Sequence, residues 1–324
     1  MRVAFLGTPD VAVPSLQALV AAADVEVVVV ITNPDRSRGR SKQPVPPPVK
    51  VAAIDAGLEV WQPVKPREIL DDLRALEVDA CAVVAYGALL PRDVLDAGGA
   101  GFVNLHFSLL PRWRGAAPVQ HAIRAGDTVT GITTFVLEDG MDTGPILDQV
   151  EVEIRPDESA GELLDRLADL GAEVLLDSLR RLVAGEVPTP QPLVGATLAP
   201  KITPDAVAID FSAPAGQVAD LVRSADPAPG AHTVFRDKRL KVLRATPVDP
   251  DAVTTDAGDP DAGDPDAVAP GTVVAAGRDG VVVACGTGAI RLDVVQPEGK
   301  ARMDGAAFAN GYRAQVGETL GESG

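Results

Sequence analysis

The chain has 324 residues, 46% of them hydrophobic and 3% aromatic, and a formal net charge of −17. This length suggests two domains of roughly 100–200 residues each, with cores built from aliphatic side chains. The acidic balance argues against nonspecific nucleic-acid binding over the whole surface, but it leaves room for a local basic patch. No apolar run is long enough to span a bilayer, and residues 2–7 suit a strand better than a signal peptide. Cys81 and Cys285 lack metal-ligand spacing and are expected to be reduced, so we expect a cytoplasmic protein without a metal site.

Strand-like and helix-like segments alternate through the first half of the chain. Apolar runs predict buried strands at residues 2–7, 25–31, 58–61 and 80–87, and segments at 13–22, 46–57, 66–76 and 91–97 have helical composition. This alternation predicts an α/β fold with a doubly wound, mostly parallel sheet. Gly7 stands alone where a dinucleotide fold would carry G-x-G-x-x-G, so we do not expect a nicotinamide or flavin cofactor.

A basic loop follows the second predicted strand. Residues 31–50 carry five basic side chains against one acid, Asp35, which gives a local charge of +4. The basic residues are Arg36, Arg38, Arg40, Lys42 and Lys50. Guanidinium groups bind phosphates through paired hydrogen bonds, so the loop suits contact with phosphate or RNA. The alternative is a solvated, mobile loop.

Three polar residues follow predicted strands further along the chain. If the strand before Asn104 continues to His106, the two side chains point to the same side, at the end where open α/β sheets bind ligands. A strand predicted at residues 131–137 ends in a turn that carries Asp142. An amide and an imidazole can stabilise an oxyanion, the imidazole can carry protons, and a carboxylate can raise the imidazole pKa. The trio suits acyl transfer to an amine, although each residue taken singly is more often structural.

These residues resemble the signature of the 10-formyltetrahydrofolate-dependent formyltransferases. The signature is Asn104-x-His106-x-Ser108-Leu109-Leu110-Pro111 together with Asp142. Four further runs narrow the resemblance to members that act on methionyl initiator tRNA: Gly7-Thr8-Pro9-Asp10, Val84-Ala85-Tyr86-Gly87, Arg112-Trp113-Arg114-Gly115-Ala116-Ala117-Pro118 and Ala199-Pro200-Lys201-Ile202. The match extends over nearly the whole chain, with its motifs in the same order.

The resemblance implies both an architecture and an activity. It implies a Rossmann-like formyltransferase domain over residues 1–187, a linker over 188–207 and an OB-like β-barrel domain over 208–324. The implied reaction moves the formyl group of 10-formyltetrahydrofolate to the α-amine of methionyl initiator tRNA. We expect a monomer that uses the folate as its co-substrate.

The resemblance also assigns roles to individual residues. Asn104, His106 and Asp142 match the catalytic trio. The implied folate contacts are Ser108, Leu109, Leu110, Pro111, Tyr86 and Gly87. The implied tRNA contacts are Arg36, Arg38, Arg40, Lys42 and Lys201, with Arg40 the most important. Phe107 departs from the small residue that is common at its position, and we expect it to pack inward.

The chain beyond the first domain contains a long predicted helix, a proline-rich linker and short strands. Ser159 and Glu162 have the spacing of a capping box at the start of a helix that runs to about residue 185, after a hairpin strand at 146–154. Short strands predicted at 233–235, 240–243, 271–275, 280–285 and 289–295 suggest a small β-barrel. Candidate phosphate contacts, or solvated charges, on it are Arg236, Lys238, Arg239, Lys241 and Arg244. An acidic insert at about 250–269, with Asp-Ala-Gly-Asp-Pro twice, is predicted to be disordered.

Two other functions fit parts of this pattern. One is a formyltransferase that acts on a small amine, such as glycinamide ribotide or an amino sugar nucleotide. The other is a catalytically silent RNA-binding protein on an enzyme scaffold. The basic loop and the predicted barrel favour tRNA over a small amine, and the intact trio favours an enzyme.

Overall fold

The computed structural model describes residues 1–37, 43–248 and 268–321. Arg38, Arg40, Lys42 and both acidic repeats lie outside these residues. The chain forms two compact units. Unit 1 comprises Met1–Pro118, Val129–Glu153 and Leu163–Pro200, and unit 2 comprises Val119–Thr128, Ile154–Glu162 and the chain from Lys201 onward. The change from one unit to the other after Pro200 falls inside the predicted linker, and the exact domain boundaries remain predictions.

The described part of unit 1 is built on a seven-stranded sheet. The strands of unit 1 are, in chain order, β1 (Arg2–Gly7), β2 (Glu26–Ile31), β3 (Arg36–Ser37), β4 (Pro44–Val45), β5 (Val60–Trp61), β6 (Ala80–Val84), β7 (Phe102–His106), β8 (Val129–Val136) and β9 (Ile146–Glu153). Of these, β3 and β4 form a separate two-stranded ladder. The order is β5-β2-β1-β6-β7-β8-β9, parallel from β5 to β7 and antiparallel at β8 and β9. The direction of winding reverses between β1 and β6, so their carboxyl ends open a crevice suited to a ligand.

Helices connect the parallel strands, as parallel pairing requires. Those helices are α1 (Val13–Ala21), α2 (Pro48–Asp55), α3 (Leu70–Ala75) and α4 (Arg92–Leu95). Two more, α5 (Pro118–Arg124) and α6 (Ala160–Val183), follow β7 and β9, at the antiparallel end of the sheet. The predicted capping box at the start of α6 is confirmed: the Glu162 N–H donates to Ser159 Oγ at 3.3 Å, and the Ser159 N–H donates to Glu162 Oε2 at 2.9 Å. The segment predicted as one helix at 66–76 is a 3₁₀ turn, Pro66–Ile69, followed by α3.

Most of α5 belongs to unit 2, and from Lys201 onward the described part of this unit is an antiparallel sheet with two α-helices. Its elements are α7 (Ala215–Ala225), β10 (Ala231–Phe235), β11 (Lys238–Val248), β12 (Val273–Gly277), β13 (Gly280–Ala284), β14 (Ala289–Pro297), β15 (Met303–Asp304) and α8 (Gly305–Tyr312). The order is β10-β11-β14-β13-β12, with β15 beside β14. Phe235 and Phe308 meet edge to face in its core, with ring centroids 5.3 Å apart. The short antiparallel strands were predicted, whereas α8 was not.

Strand β7, which carries Asn104 and His106, is fixed by the packing of the residue between them. Leu105 is 2% exposed, and its side chain faces α6 so closely that a Cβ added to Gly171 would lie 2.6 Å from Leu105 Cδ2. Adjacent residues of a strand point to opposite faces. Burying Leu105 against α6 therefore directs Asn104 and His106 to the other face of the sheet. The predicted mostly parallel α/β fold is confirmed, and it brings both residues to its ligand-binding edge.

Replacing Gly171 with alanine is expected to destabilise unit 1. The new methyl group would overpack a filled core, which costs about 1–3 kcal/mol and exceeds the roughly 1 kcal/mol that alanine gains over glycine in a helix. Urea unfolding measures the change in free energy. Gly216 in α7 is the matched control, because a Cβ added there meets nothing described within 4 Å. Gly216→Ala should keep or raise stability, and a Gly171→Ala protein as stable as the wild type would contradict this packing.

Candidate active site

A cavity of about 510 Å³ opens at the carboxyl ends of β6 and β7. The segment after β6, the end of β7, the loop that follows β7 and the turn after β8 line it. Among the predicted site residues, the cavity brings together Asn104, His106, Asp142, Tyr86 and Gly87. Its wall is largely apolar, and the apolar residues that line it are Val83, Ala85, Ala88, Leu89, Leu90, Leu95, Leu105, Phe107, Ala116, Pro118, Leu137 and Met141. An apolar cleft with a few convergent polar groups is the usual form of a small-molecule site.

His106 is buried, and both of its ring nitrogens face protein groups. Nε2 lies 2.9 Å from the Trp113 carbonyl oxygen, which can only accept a hydrogen bond, so Nε2 carries a hydrogen. Nδ1 lies 3.8 Å from Asp142 Oδ2, which is too long for a hydrogen bond. Burial lowers the pKa of His106 below its ordinary value, and this outweighs the upward effects of the Asp142 charge and the Trp113 hydrogen bond. The Asp142 carboxylate thus raises the imidazole pKa, as expected of a nearby carboxylate, but by less than burial lowers it. The lowered pKa favours the neutral ring near neutral pH, with its lone pair on Nδ1.

Asp142 is held in place through both its side chain and its backbone. Its Oδ2 accepts the Gly115 N–H at 2.7 Å, and its carbonyl oxygen accepts Gln191 Nε2 at 2.8 Å. The backbone of Asp142 is left-handed, with a φ of 52°. Left-handed backbone at a residue other than glycine costs on the order of 1–3 kcal/mol and persists only where the surroundings fix it. The carboxylate therefore has a defined position beside the His106 ring.

Asn104 is half-buried on β7 and lines the cavity. Its backbone pairs with Phe135 of β8. Within the described ranges, its side-chain amide makes no hydrogen bond to another residue. The amide is therefore open to a bound ligand in the cavity that His106 also lines.

Two domain families match the chain over most of its length. Residues 1–179 match the family described as formyl transferase, and residues 201–313 match the family described as formyl transferase, C-terminal domain. The chain belongs to the formyl transferase family.

Full-length relatives of this formyl transferase carry a more specific name. Methionyl-tRNA formyltransferases from Streptomyces griseus subsp. griseus and Thermobifida fusca are each 48% identical, over 99% of this chain and 100% of each relative. The crystal structure of the N-formyltransferase from Helicobacter canadensis, in complex with folinic acid and dTDP-3-aminofucose, has a TM-score of 0.63 and 14% identity over 91% of this chain and 98% of that one. At that identity the structural likeness supports the fold alone.

Internal hydrogen bonds hold the predicted folate loop beside the cavity. Ser108 is fully buried and its Oγ donates to the Arg112 carbonyl at 2.6 Å. Thr133 Oγ1 donates to the Ser108 carbonyl at 2.6 Å and accepts the Leu110 N–H at 3.1 Å. Gln149 Nε2 donates to the Leu110 carbonyl at 2.8 Å. None of Ser108, Leu109, Leu110 and Pro111 lines the described cavity, so their contact with folate stays a prediction.

The start of the basic loop is hydrogen-bonded to the edge of the sheet at which the cavity opens. Asn33 Nδ2 donates to Thr8 Oγ1 at 2.9 Å and to the Tyr86 carbonyl at 2.6 Å. Lys50 Nζ lies 2.9 Å from both carboxylate oxygens of Asp35. Hydrogen bonds from Lys50 and Gln62 lower the pKa of Asp35. Lys50 is one of the five basic residues of segment 31–50, and it is thus paired with the one acid of that segment, Asp35.

Most candidate phosphate contacts of unit 2 have partners within the protein. Three of the basic side chains bond internally: Arg236 to Glu318, Lys241 to the Pro229 carbonyl and Arg244 to Glu162, at 2.7–2.8 Å. Lys238 and Arg239 of β11 are exposed. Arg36 in unit 1 and Lys201, the first residue of the last segment of unit 2, are exposed as well. Arg236 and Arg244 are exposed too, but each would have to share its ion pair with a phosphate, so Lys238, Arg239, Arg36 and Lys201 are better placed to meet one.

Other kinds of site find little support in the described residues. No group of three or more His, Cys, Asp or Glu side chains there could hold a metal ion. No helix in those ranges is long and apolar enough to cross a membrane. Cys81 and Cys285 are buried and unpaired, and burial raises the pKa of both thiols, that of Cys285 to about 11. Both are therefore neutral, unreactive core side chains.

Sequence reasoning missed the groups that position the trio. The Trp113 carbonyl, the Gly115 N–H and the Gln191 amide all bond to His106 or Asp142. Two of these are backbone groups, which a sequence does not single out. Gly115, with a φ of 126°, was visible only as the glycine of the motif at residues 112–118. Gln191 gave none, because it lies among prolines in a segment of linker composition.

Asp142→Asn is expected to lower the pKa of His106 further, because it removes the carboxylate charge that raises this pKa. With three histidines in the chain, nitrogen NMR of the imidazoles can follow the His106 titration directly. Asp139→Asn, an exposed change in the same turn, is the control and should leave the titration in place. An equal or higher His106 pKa in Asp142→Asn would contradict the described electrostatics.

Proposed function

We propose that this formyl transferase moves the formyl group of 10-formyltetrahydrofolate to the α-amine of methionyl initiator tRNA. The observation that carries the proposal is the cavity in which Asn104, His106 and Asp142 converge, in a chain 48% identical over its full length to methionyl-tRNA formyltransferases. The trio supplies the hydrogen-bond donor and the proton carrier that acyl transfer requires. Its catalytic role is part of the proposal.

The cavity suits the folate co-substrate. Its volume lies within the usual range of roughly 300–1,000 Å³ for small-molecule sites, and its apolar wall fits the flat rings of a folate. Tyr86 and Gly87 line it, and the loop of Ser108, Leu109, Leu110 and Pro111 lies beside it. We assign all six residues to folate binding. The Helicobacter canadensis enzyme, which shares the fold, was crystallised with folinic acid.

The proposed mechanism uses His106 as a proton shuttle. The methionyl α-amine attacks the carbon of the N10-formyl group, a new N–C bond forms, and the carbonyl electrons move onto oxygen. The Asn104 amide donates to this oxyanion, while Nδ1 of His106 accepts the proton that the amine releases. The charge of Asp142 stabilises the resulting imidazolium. The bond from carbon to N10 then breaks, the proton passes to N10, and tetrahydrofolate leaves.

The tRNA is proposed to meet both units. In unit 1 the contacts are assigned to the basic loop at 33–44, through Arg36, Arg38, Arg40 and Lys42. In unit 2 they are assigned to Lys201 and to the antiparallel sheet, which we take to be an OB-like barrel, a fold that binds oligonucleotides. The proposed domains are residues 1–187 and 208–324, joined by 188–207. We place the enzyme in the cytoplasm as a monomer.

Asn104→Ala is expected to reduce turnover by about 10²–10³-fold, the usual cost of losing one oxyanion donor. The exposed change Asn310→Ala in α8 should leave turnover unchanged.

Formyl transfer from 10-formyltetrahydrofolate is measured with methionyl initiator tRNA, free methionine and uncharged tRNA. Transfer to the charged tRNA alone supports the proposal. Folate binding without transfer would point to a small amine, and no folate binding would leave an RNA-binding scaffold.

Arg40→Ala is expected to raise the KM for methionyl initiator tRNA while the KM for the folate stays unchanged. Each lost phosphate contact also makes binding less sensitive to salt, with a slope about 0.7–0.9 units shallower. Measuring the KM at several salt concentrations tests both effects. Arg74→Ala, an exposed change on α3, is the control. An equal tRNA KM in the Arg40 and Arg74 variants would remove Arg40 from the tRNA contact.

A further inference from the structure

Part of the predicted linker pairs with the loops that hold the catalytic trio. Ile146 and Thr189 exchange two backbone hydrogen bonds, of 2.7 and 2.8 Å. The Ala199 N–H donates to the Arg114 carbonyl at 2.7 Å, and the Ala199 carbonyl accepts the Ala117 N–H at 3.1 Å. We call residues 189–199 the brace segment. All of these contacts lie within unit 1.

The two residues that face the ring nitrogens of His106 both have a left-handed backbone. Trp113, which accepts the hydrogen bond of Nε2, has a φ of 63°, and Asp142, which faces Nδ1, has a φ of 52°. Left-handed backbone at residues other than glycine costs energy, more for a bulky residue such as Trp113 than for an aspartate, and it persists only where neighbouring groups fix it. The orientation of the His106 ring therefore depends on whatever holds these two residues.

The brace segment makes a side-chain hydrogen bond to the backbone of each of them. Gln191 Nε2 donates to the carbonyls of Asp142 and Gly144, both at 2.8 Å. Gln191 Oε1 accepts Arg114 Nη2 at 2.6 Å, which ties this turn to the loop after β7. Thr197 Oγ1 accepts the Trp113 N–H at 2.9 Å. Both left-handed residues are thus bonded to one short segment.

These contacts are not a by-product of core packing. Between Gln191 and Thr197 the brace segment is exposed, and Leu193 and Val194 have solvent-accessible side chains. Gln191 and Thr197 themselves are half-buried. The segment therefore contributes hydrogen bonds at defined points and little apolar burial. Removing these bonds should disturb the site more than it disturbs stability.

We propose that Gln191 and Thr197 are positioning residues for formyl transfer. Gln191 holds the Asp142 turn and Thr197 holds the Trp113 backbone, so that Nδ1 of His106 faces both the carboxylate and the cavity. This inference rests on the proposed function, because it assigns the two residues to that reaction.

Two near-isosteric variants test the proposal in the full-length protein. Gln191→Met removes the amide that bonds to the Asp142 turn, and Thr197→Val removes the oxygen that accepts the Trp113 N–H. A misplacement of about 1 Å in a catalytic group can cost up to about 10²-fold. We expect each variant to lower kcat by about 10- to 100-fold, with KM within about twofold of the wild-type value. The urea midpoint should change little.

Matched controls remove similar bonds elsewhere in unit 1. Glu68→Met deletes the acceptor of the Val64 N–H, and Arg166→Met deletes a side-chain hydrogen bond to the Glu153 carbonyl. Neither control should change kcat. The His106 ring nitrogens, followed by NMR in the free proteins, give a signal that a general loss of stability does not produce. Their resonances should move in Gln191→Met and Thr197→Val and stay in place in both controls.

The outcomes separate this inference from the function on which it rests. Wild-type kcat with unchanged His106 resonances in both variants would overturn the positioning role, even if the wild type formylates methionyl initiator tRNA. A fall in kcat that only follows a fall in the urea midpoint would also overturn it. If the wild type transfers no formyl group, the proposed function fails, and the His106 resonances still decide whether the segment positions the ring. If Gln191→Met does not fold, Thr197→Val decides the test.

Discussion

The hydrogen bond from His106 Nε2 to the Trp113 carbonyl determines what the site can do. A carbonyl oxygen only accepts, so this bond commits one ring nitrogen to a hydrogen and leaves the other as the group that can exchange a proton. Burial lowers the pKa of His106 and so favours the neutral ring, in which Nδ1 is a proton acceptor beside a carboxylate 3.8 Å away. At this distance the charge of the carboxylate favours a protonated ring, but its effect on the pKa of His106 is smaller than the effect of burial.

The rest of unit 1 serves to keep this arrangement in place. Leu105 is buried against α6, which fixes the strand on which His106 lies. The Gly115 N–H positions the carboxylate of Asp142, and the brace segment bonds to the backbones on both sides of the ring. A parallel sheet brings the strand ends to one edge. The two loops beside His106 contain the strained residues Trp113 and Asp142, and they keep their conformation because hydrogen bonds hold these residues. The site thus combines a rigid strand with two loops that have to be held.

How much of this was predictable depends on the kind of information involved. The mostly parallel sheet could be predicted from alternating apolar and helical segments. The placement of Asn104, His106 and Asp142 near one another could be predicted from strand period and motif. The direction of the His106 pKa shift did not follow, because burial is a property of the folded neighbourhood, which here includes the Phe135 ring, with its centroid 6.4 Å from that of His106. The brace segment was hidden for another reason: its partners are backbone groups, and its own composition is typical of a linker. Basic residues were visible in the sequence, but their internal partners were not.

The protonation state of His106 in the wild-type protein is the most direct test of this account. Nitrogen chemical shifts of the imidazole at neutral pH distinguish the two neutral tautomers from the charged ring. The account predicts a neutral ring with its hydrogen on Nε2 and a lone pair on Nδ1. A charged ring, or a hydrogen on Nδ1 with none on Nε2, would contradict the proton-acceptor role of His106 and the mechanism built on it.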